Sequence, residues 1–158
     1  LSESPAVQAV PTFRRRVVTS INAAGRSVIA ADTELPTANL GDFTSVELWT
    51  DDPAHATPPA AAPTYNFTLS PPANGSKARL FTFKPGAGTG GTGWHTTPTM
   101  DYGVVLAGRL DIQVEEGHVK LGMGDTVVQR GVNHAWRNPY DEPCVMLFVL
   151  ISSHAPRN

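Results

Sequence analysis

The stretch His95-Thr96-Thr97-Pro98-Thr99-Met100-Asp101-Tyr102-Gly103-Val104-Val105-Leu106-Ala107-Gly108 decides how this chain is read. It places an imidazole, two hydroxyls and a carboxylate at every second position, then runs into an apolar strand that ends at glycine. Side chains alternate across an extended backbone, so His95, Thr97, Thr99 and Asp101 share one face. A later stretch, Gly124-Asp125-Thr126-Val127-Val128-Gln129-Arg130-Gly131-Val132-Asn133-His134-Ala135-Trp136-Arg137-Asn138, carries a second histidine after a glycine turn. There His134 and Trp136 have the same strand parity.

Taken together, the two stretches resemble the paired motifs of the cupin family, H-x-H-x(3,4)-E and P-x-G-x(2)-H-x(3)-N. In that register His95 stands for the first histidine, Thr97 for the second and Asp101 for the glutamate. Gln129 replaces the usual proline, while Gly131, His134 and Asn138 fall in place. The opening from Arg15 to Ile29 is similar to the first hairpin of small single-domain cupins. The resemblance implies an all-β fold, a double-stranded β-helix (jelly-roll) barrel, in which His134 faces His95 and Asp101. It also implies a divalent metal (Fe, Mn, Ni or Zn) held by His95, Asp101 and His134. One ligand of that set is lost at Thr97, and Asp101 is one methylene short.

Composition narrows the function classes. With 158 residues and 41% hydrophobic content the chain suits one domain with a sizeable core. Its net charge of -2 leaves no electrostatic footprint for nucleic acid or an anionic membrane. Arg14-Arg15-Arg16 is the only basic run and reads as a solvated strand entrance. The single Cys144 cannot form an internal disulfide and lies in an apolar run, which suits a reducing, cytoplasmic setting. No apolar stretch reaches the roughly 18 residues a membrane helix needs.

The 14 glycines and 14 prolines punctuate short runs rich in Val, Leu, Phe and Thr, the pattern of many short strands. We read one domain over residues 1–158, with N-terminal strands within 13–50, a loop over 51–63 and the barrel core over 78–152. Val17 to Thr19 and Val28 to Ala30 form a hairpin around Asn22-Ala23-Ala24-Gly25. The Ala- and Pro-rich loop cannot hold a central strand. Pro85 to Gly93 lacks the helix a phosphate loop requires and reads as a flexible connection at the barrel rim. Glu115-Glu116-Gly117-His118 is expected to be a turn. Val145 to Ile151 is apolar on both parities, which predicts a strand covered on both faces and, with it, a homodimer.

Burying two imidazoles and a carboxylate is costly unless they pair or hold a metal. A ligand set of this kind suits a metal with open positions. Without metal, a histidine near its ordinary pKa of about 6.5 can still exchange a proton at neutral pH, and a carboxylate orients it. We therefore expect His95, Asp101 and His134 to carry catalysis and Thr97, Trp136 and Phe83 to line a pocket for a small-molecule substrate. The expected reaction is that of a lyase, a dehydratase or decarboxylase acting on a polyketide-like or keto-acid metabolite. A metal-dependent dioxygenase and a non-catalytic small-molecule binding module are the alternatives. Arg137 is expected either to anchor a substrate carboxylate or to pair with Asp141 or Glu142, and His55, His118 and His154 to be solvated.

Overall fold

The computed structural model describes residues 12–55 and 67–153. Eleven strands follow in order: β1 (Arg15–Ile21), β2 (Ser27–Glu34), β3 (Ala38–Asn39), β4 (Phe43–Asp51), β5 (Ser76–Phe83), β6 (Thr99–Ala107), β7 (Arg109–Val114), β8 (Gly117–Gly122), β9 (Thr126–Gln129), β10 (His134–Arg137) and β11 (Cys144–Ser152). No helix occurs among the described residues, so none is long and apolar enough to cross a membrane. The greater part of the expected 51–63 loop, residues 56–63, and His154 lie outside the described residues.

A six-stranded sheet runs β3-β4-β5-β11-β6-β9 and a three-stranded sheet runs β10-β7-β8, all pairs antiparallel. Apolar side chains of both sheets meet in one core: Phe81, Phe83, Val105, Met146 and Phe148 from the large sheet, Leu110 and Leu121 from the small one. Two antiparallel sheets closed on a shared core form the all-β jelly-roll barrel. β1 and β2 make a separate hairpin whose loop is capped by Asn22, its Oδ1 accepting from the N–H groups of Ala24 and Arg26.

The double-sided apolar pattern of β11 has a direct explanation. Cys144, Met146, Phe148 and Leu150 face the shared core, whereas Val145 packs outward against Leu35, Val46 and Leu80. Opposite Phe148 stands Gly103 of β6. A Cβ there would come within 3.0 Å of the Phe148 ring and 3.3 Å of Met146 Cε, so the missing side chain is what lets the ring lie on the β6 backbone. Gly108, the turn between β6 and β7, has φ +73° and a virtual Cβ 2.2 Å from the Pro143 carbonyl oxygen, so both backbone conformation and space require glycine.

Two sequence expectations need adjustment here. Glu115 and Glu116 form the expected turn, but Gly117 and His118 already belong to β8. That strand is exposed at four of its six positions, so it lacks the apolar run that would announce it. The Gly-rich connection from Gly86 is tied down rather than free. Gly86 N–H donates to Asn138 O, Asn138 N–H to Ala87 O, and Gly88 N–H to Asp42 Oδ2.

Candidate functional site

Where the two sheets converge, His95 and His134 exchange backbone hydrogen bonds, each N–H donating to the other's carbonyl at 3.0 Å. This bridge clips the segment entering β6 onto β10 and brings the imidazoles together, with ring centroids 4.3 Å apart. Both rings are held through Nδ1, each by its own carbonyl. His95 Nδ1 donates to Gly93 O at 2.8 Å, and His134 Nδ1 to Val132 O at 2.9 Å. A carbonyl oxygen only accepts, so the tautomer that satisfies Gly93 O and Val132 O carries its proton on Nδ1 and keeps a lone pair on Nε2, although Gln129 Nε2, itself a donor, also faces His134 Nδ1.

Gln129, in the place of the family's proline, frames His134. Its Oε1 accepts from Gly131 N–H at 2.9 Å, while Nε2 donates to Val132 O at 2.8 Å and lies 2.9 Å from His134 Nδ1. Asn138 is structural: its Nδ2 donates to Phe83 O and Glu142 O, and its Oδ1 accepts from Tyr140 N–H.

The imidazoles open onto a cavity of about 80 Å³ lined by Phe43, Leu69, Phe81, Phe83, His95, Thr97, Asp101, His134, Trp136, Phe148 and Leu150. All six residues assigned to the pocket from sequence are among them. The parity argument explains the outcome on β10, where His134 and Trp136 turn inward together with ring centroids 5.8 Å apart. Tyr102, of opposite parity to Asp101, is 48% exposed. Phe43, Phe81, Phe148 and Leu150 were missed, although strand parity with Phe83 and within the last strand would have found the last three. Leu69 carries no such signal, since it lies next to the Ala- and Pro-rich segment and in no strand.

Asp101 is only 6% exposed and its Oδ1 has no hydrogen-bond partner. Burial pushes its carboxyl above the ordinary value of 3.8, against the opposing pull of the Thr99 hydroxyl and the charges of His95 and Arg79. Burial likewise holds His134 below its ordinary 6.5, against the Val132 carbonyl, and so favours the neutral ring. The raised carboxyl contributes stability fully below pH 3.8, and that contribution is lost as pH rises through its folded value. At pH 7 an ionised Asp101 is therefore a net cost. Asp101→Asn is expected to raise stability at pH 7 by about 0.5–2 kcal/mol, the increment that a single stabilising substitution commonly gives. Thermal melts at pH 7 and pH 3 check this; an unchanged or lower melting temperature at pH 7 would contradict the assignment.

The expected metal set is not assembled. Two imidazole nitrogens suit a metal, yet among the described residues no three His, Cys, Asp or Glu side chains are placed to hold one ion. Asp101, with its shorter side chain, does not join the imidazoles as a third ligand. Thr97, at the place of the second histidine, accepts a hydrogen bond from Thr99 Oγ1 at 2.8 Å instead. The residues present do not fit the three-ligand site that the resemblance implied.

Arg137 adopts neither expected role. Its guanidinium donates to Thr92 O and to Gln113 Oε1 and lies over the Trp94 ring, while Arg109 takes Glu142 at 2.8 Å. Arg137 thereby fastens the glycine-rich rim that leads to His95. His118 is exposed, and His55 is exposed beside Asp52.

This fold and site define a barrel with an interior histidine pair, and comparison with known proteins places it. The Cupin domain family model matches residues 79–150, and the chain belongs to the cupin family. Phomopsin biosynthesis cluster protein D of Diaporthe leptostromiformis is 35% identical over 134 residues, 78% of this chain and 69% of that protein. Oryzines biosynthesis cluster protein J of Aspergillus oryzae is 55% identical over 47 residues, but these span only 26% of its length. The cupin-domain-containing oxidoreductase fogC of Aspergillus ruber is 37% identical over 82 residues, 49% of this chain and 39% of that protein. Among solved structures, an RmlC-like cupin from Shewanella frigidimarina superposes with a TM-score of 0.50 at 15% identity, covering 75% of this chain and 85% of its own.

Proposed function

We propose that this cupin is a small-molecule enzyme, a lyase that uses its interior histidine pair for acid–base chemistry on an oxygenated carbonyl compound. The observation that carries the reading is the juxtaposition of two imidazoles with a buried carboxyl whose Oδ1 has no hydrogen-bond partner, in an aromatic-walled cavity. Perturbed titratable groups gathered in a concave site are the physical mark of acid–base catalysis. In a dehydration, an imidazole Nε2 takes the proton next to the carbonyl. The electron pair of that C–H bond forms the double bond, and the β-hydroxyl leaves as water with the proton returned by the imidazolium. His134 serves as this base, kept neutral by its burial, with His95 at its side. Asp101 orients the substrate hydroxyl.

The relatives' membership of biosynthesis clusters supports an enzyme of secondary metabolism. The oxidoreductase relative favours a second reading, metal-dependent oxygenation, in which Asp101 would have to move to the imidazoles.

Incubation in D₂O with a panel of β-hydroxy ketones and β-keto acids, followed by proton NMR, tests the proposal. Deuterium incorporation next to the carbonyl, or loss of water or CO₂, is expected from protein shown by elemental analysis to hold far less than one metal per chain. Loss of water or CO₂ only with stoichiometric metal would make the lyase metal-assisted, and metal-dependent consumption of O₂ would transfer the reading to the oxygenase class. Saturable binding with no product would make the protein a binding module.

A homodimer belongs to the same proposal. The outward side chains Tyr102 and Val104 of β6, Val128 of β9 and Leu147 and Val149 of β11 line one uncharged depression. Light scattering that returned a monomer would overturn it.

A further inference from the structure

Ten of the eleven cavity-lining residues belong to the barrel strands or to the segment clipped by the histidine bridge; the remaining one is Leu69. It belongs to Phe67–Ser70, which pairs with no strand. That short strap is nevertheless fixed from two sides. Arg79 Nη2 donates to Thr68 O at 2.9 Å and Lys77 Nζ to Thr68 Oγ1 at 2.6 Å. The Phe67 ring packs on Phe43 and Phe81, with the Arg79 guanidinium over it at 5.3 Å.

Both anchoring cations are themselves buried. Lys77 is 4% and Arg79 0% exposed, and Glu47 lies 3.7 Å and 4.0 Å from them. Buried ion pairs add little net stability over apolar residues of the same shape, so their retention points to placement of what they hold. What they hold is Thr68, and the next residue is the leucine that lines the cavity.

We propose that Leu69, set over the barrel by Thr68, determines which substrates the cavity takes, admitting a short oxo or hydroxy group and excluding a ring. The size limit follows from volume. The cavity measures about 80 Å³. An apolar cavity of about 150 Å³, the kind a leucine truncation leaves, takes up benzene. Beyond Leu69 the walls are Phe43, Phe81, Phe83, Trp136 and Phe148, a surface complementary to a flat ring once the leucine is gone. Leu69 therefore stands between a ring-binding barrel and one reserved for a small reacting group. This assignment rests on the cavity being the reaction site, but its test reads binding alone.

Phenol serves as the probe because it joins a ring to a hydroxyl that the imidazoles can accept. Binding is read from tryptophan fluorescence, to which Trp136 in the cavity wall contributes, and from thermal shift, with circular dichroism confirming that each variant is folded. Leu69→Ala is expected to bind phenol at least about tenfold more tightly than the unaltered protein, the discrimination that small changes in an apolar pocket provide. Leu69→Val should fall between them. Equal affinities across folded proteins, or ring binding by the unaltered protein as tight as by Leu69→Ala, would overturn the proposal. If Leu69→Ala fails to fold, the Val variant decides alone: an unchanged affinity refutes, a gain supports. A protein that binds phenol in this order yet turns over no carbonyl compound keeps the size filter and loses the lyase reading.

Discussion

Alanine at His134 is expected to lower turnover of the identified substrate by about 10²–10⁴-fold, the range that general acid–base catalysis supplies. His95→Ala should fall in the same range. The rings touch, with centroids 4.3 Å apart, and each is oriented by a separate carbonyl, so removing either leaves its neighbour in place but alone. Residues that act as a unit are not additive, and the double variant should be little worse than the more damaging single one. The pH dependence follows from burial. His134 stays neutral below the ordinary 6.5, so the acid limb of kcat/KM should lie below pH 6.5. Stability should also decline as pH falls from 6.5 toward the folded value of His134, because the unfolded chain then binds a proton that the native ring resists. Steady-state kinetics from pH 5 to 8 checks both; an acid limb above 6.5, or full activity in either alanine variant, would remove the histidines from the mechanism.

Phe148→Ala should cost about 3–5 kcal/mol, the range for emptying a buried aromatic position. The ring is 4% exposed and lies 5.2 Å from the Trp136 ring and 5.7 Å from that of Phe81, which ties the two sheets together. Its other side rests on the bare backbone of Gly103, so collapse of β6 into the void is opposed by strand pairing. Against a total of about 5–15 kcal/mol, that loss takes the protein near its limit. Urea unfolding gives the value, and less than about 1 kcal/mol would mean that the ring is not part of the junction between sheets. Gly103→Ala should damage the fold by overpacking, and far less so in a Phe148→Leu background, since the clash is with the ring.

Much of this was legible in the order of residues. Parity alone turned His95, Thr97 and Asp101 to one side and Tyr102 to the other, because a strand leaves a side chain only two directions. The two-sided burial of β11 was likewise readable from an unbroken apolar run. The strap was not. Leu69 reaches the cavity through anchors at Lys77 and Arg79, which sit in a strand whose sequence suggests solvent for both. The failure of Asp101 to join the imidazoles was equally hidden, since a motif records spacing and not the reach of one missing methylene. Arg137 escaped because its partners, Thr92 O and Gln113, lie far away along the chain.

Cys144 is wholly enclosed at the start of β11, between β5 and β6, and its thiol is pushed up to about 12 by burial. Only the thiolate is nucleophilic, so an alkylating reagent has nothing to attack while the sheet is intact. As the chain's sole sulfhydryl, it becomes an internal clock: each alkylated molecule records one departure of that strand from its neighbours, and the pace of labelling reports how often the barrel comes apart.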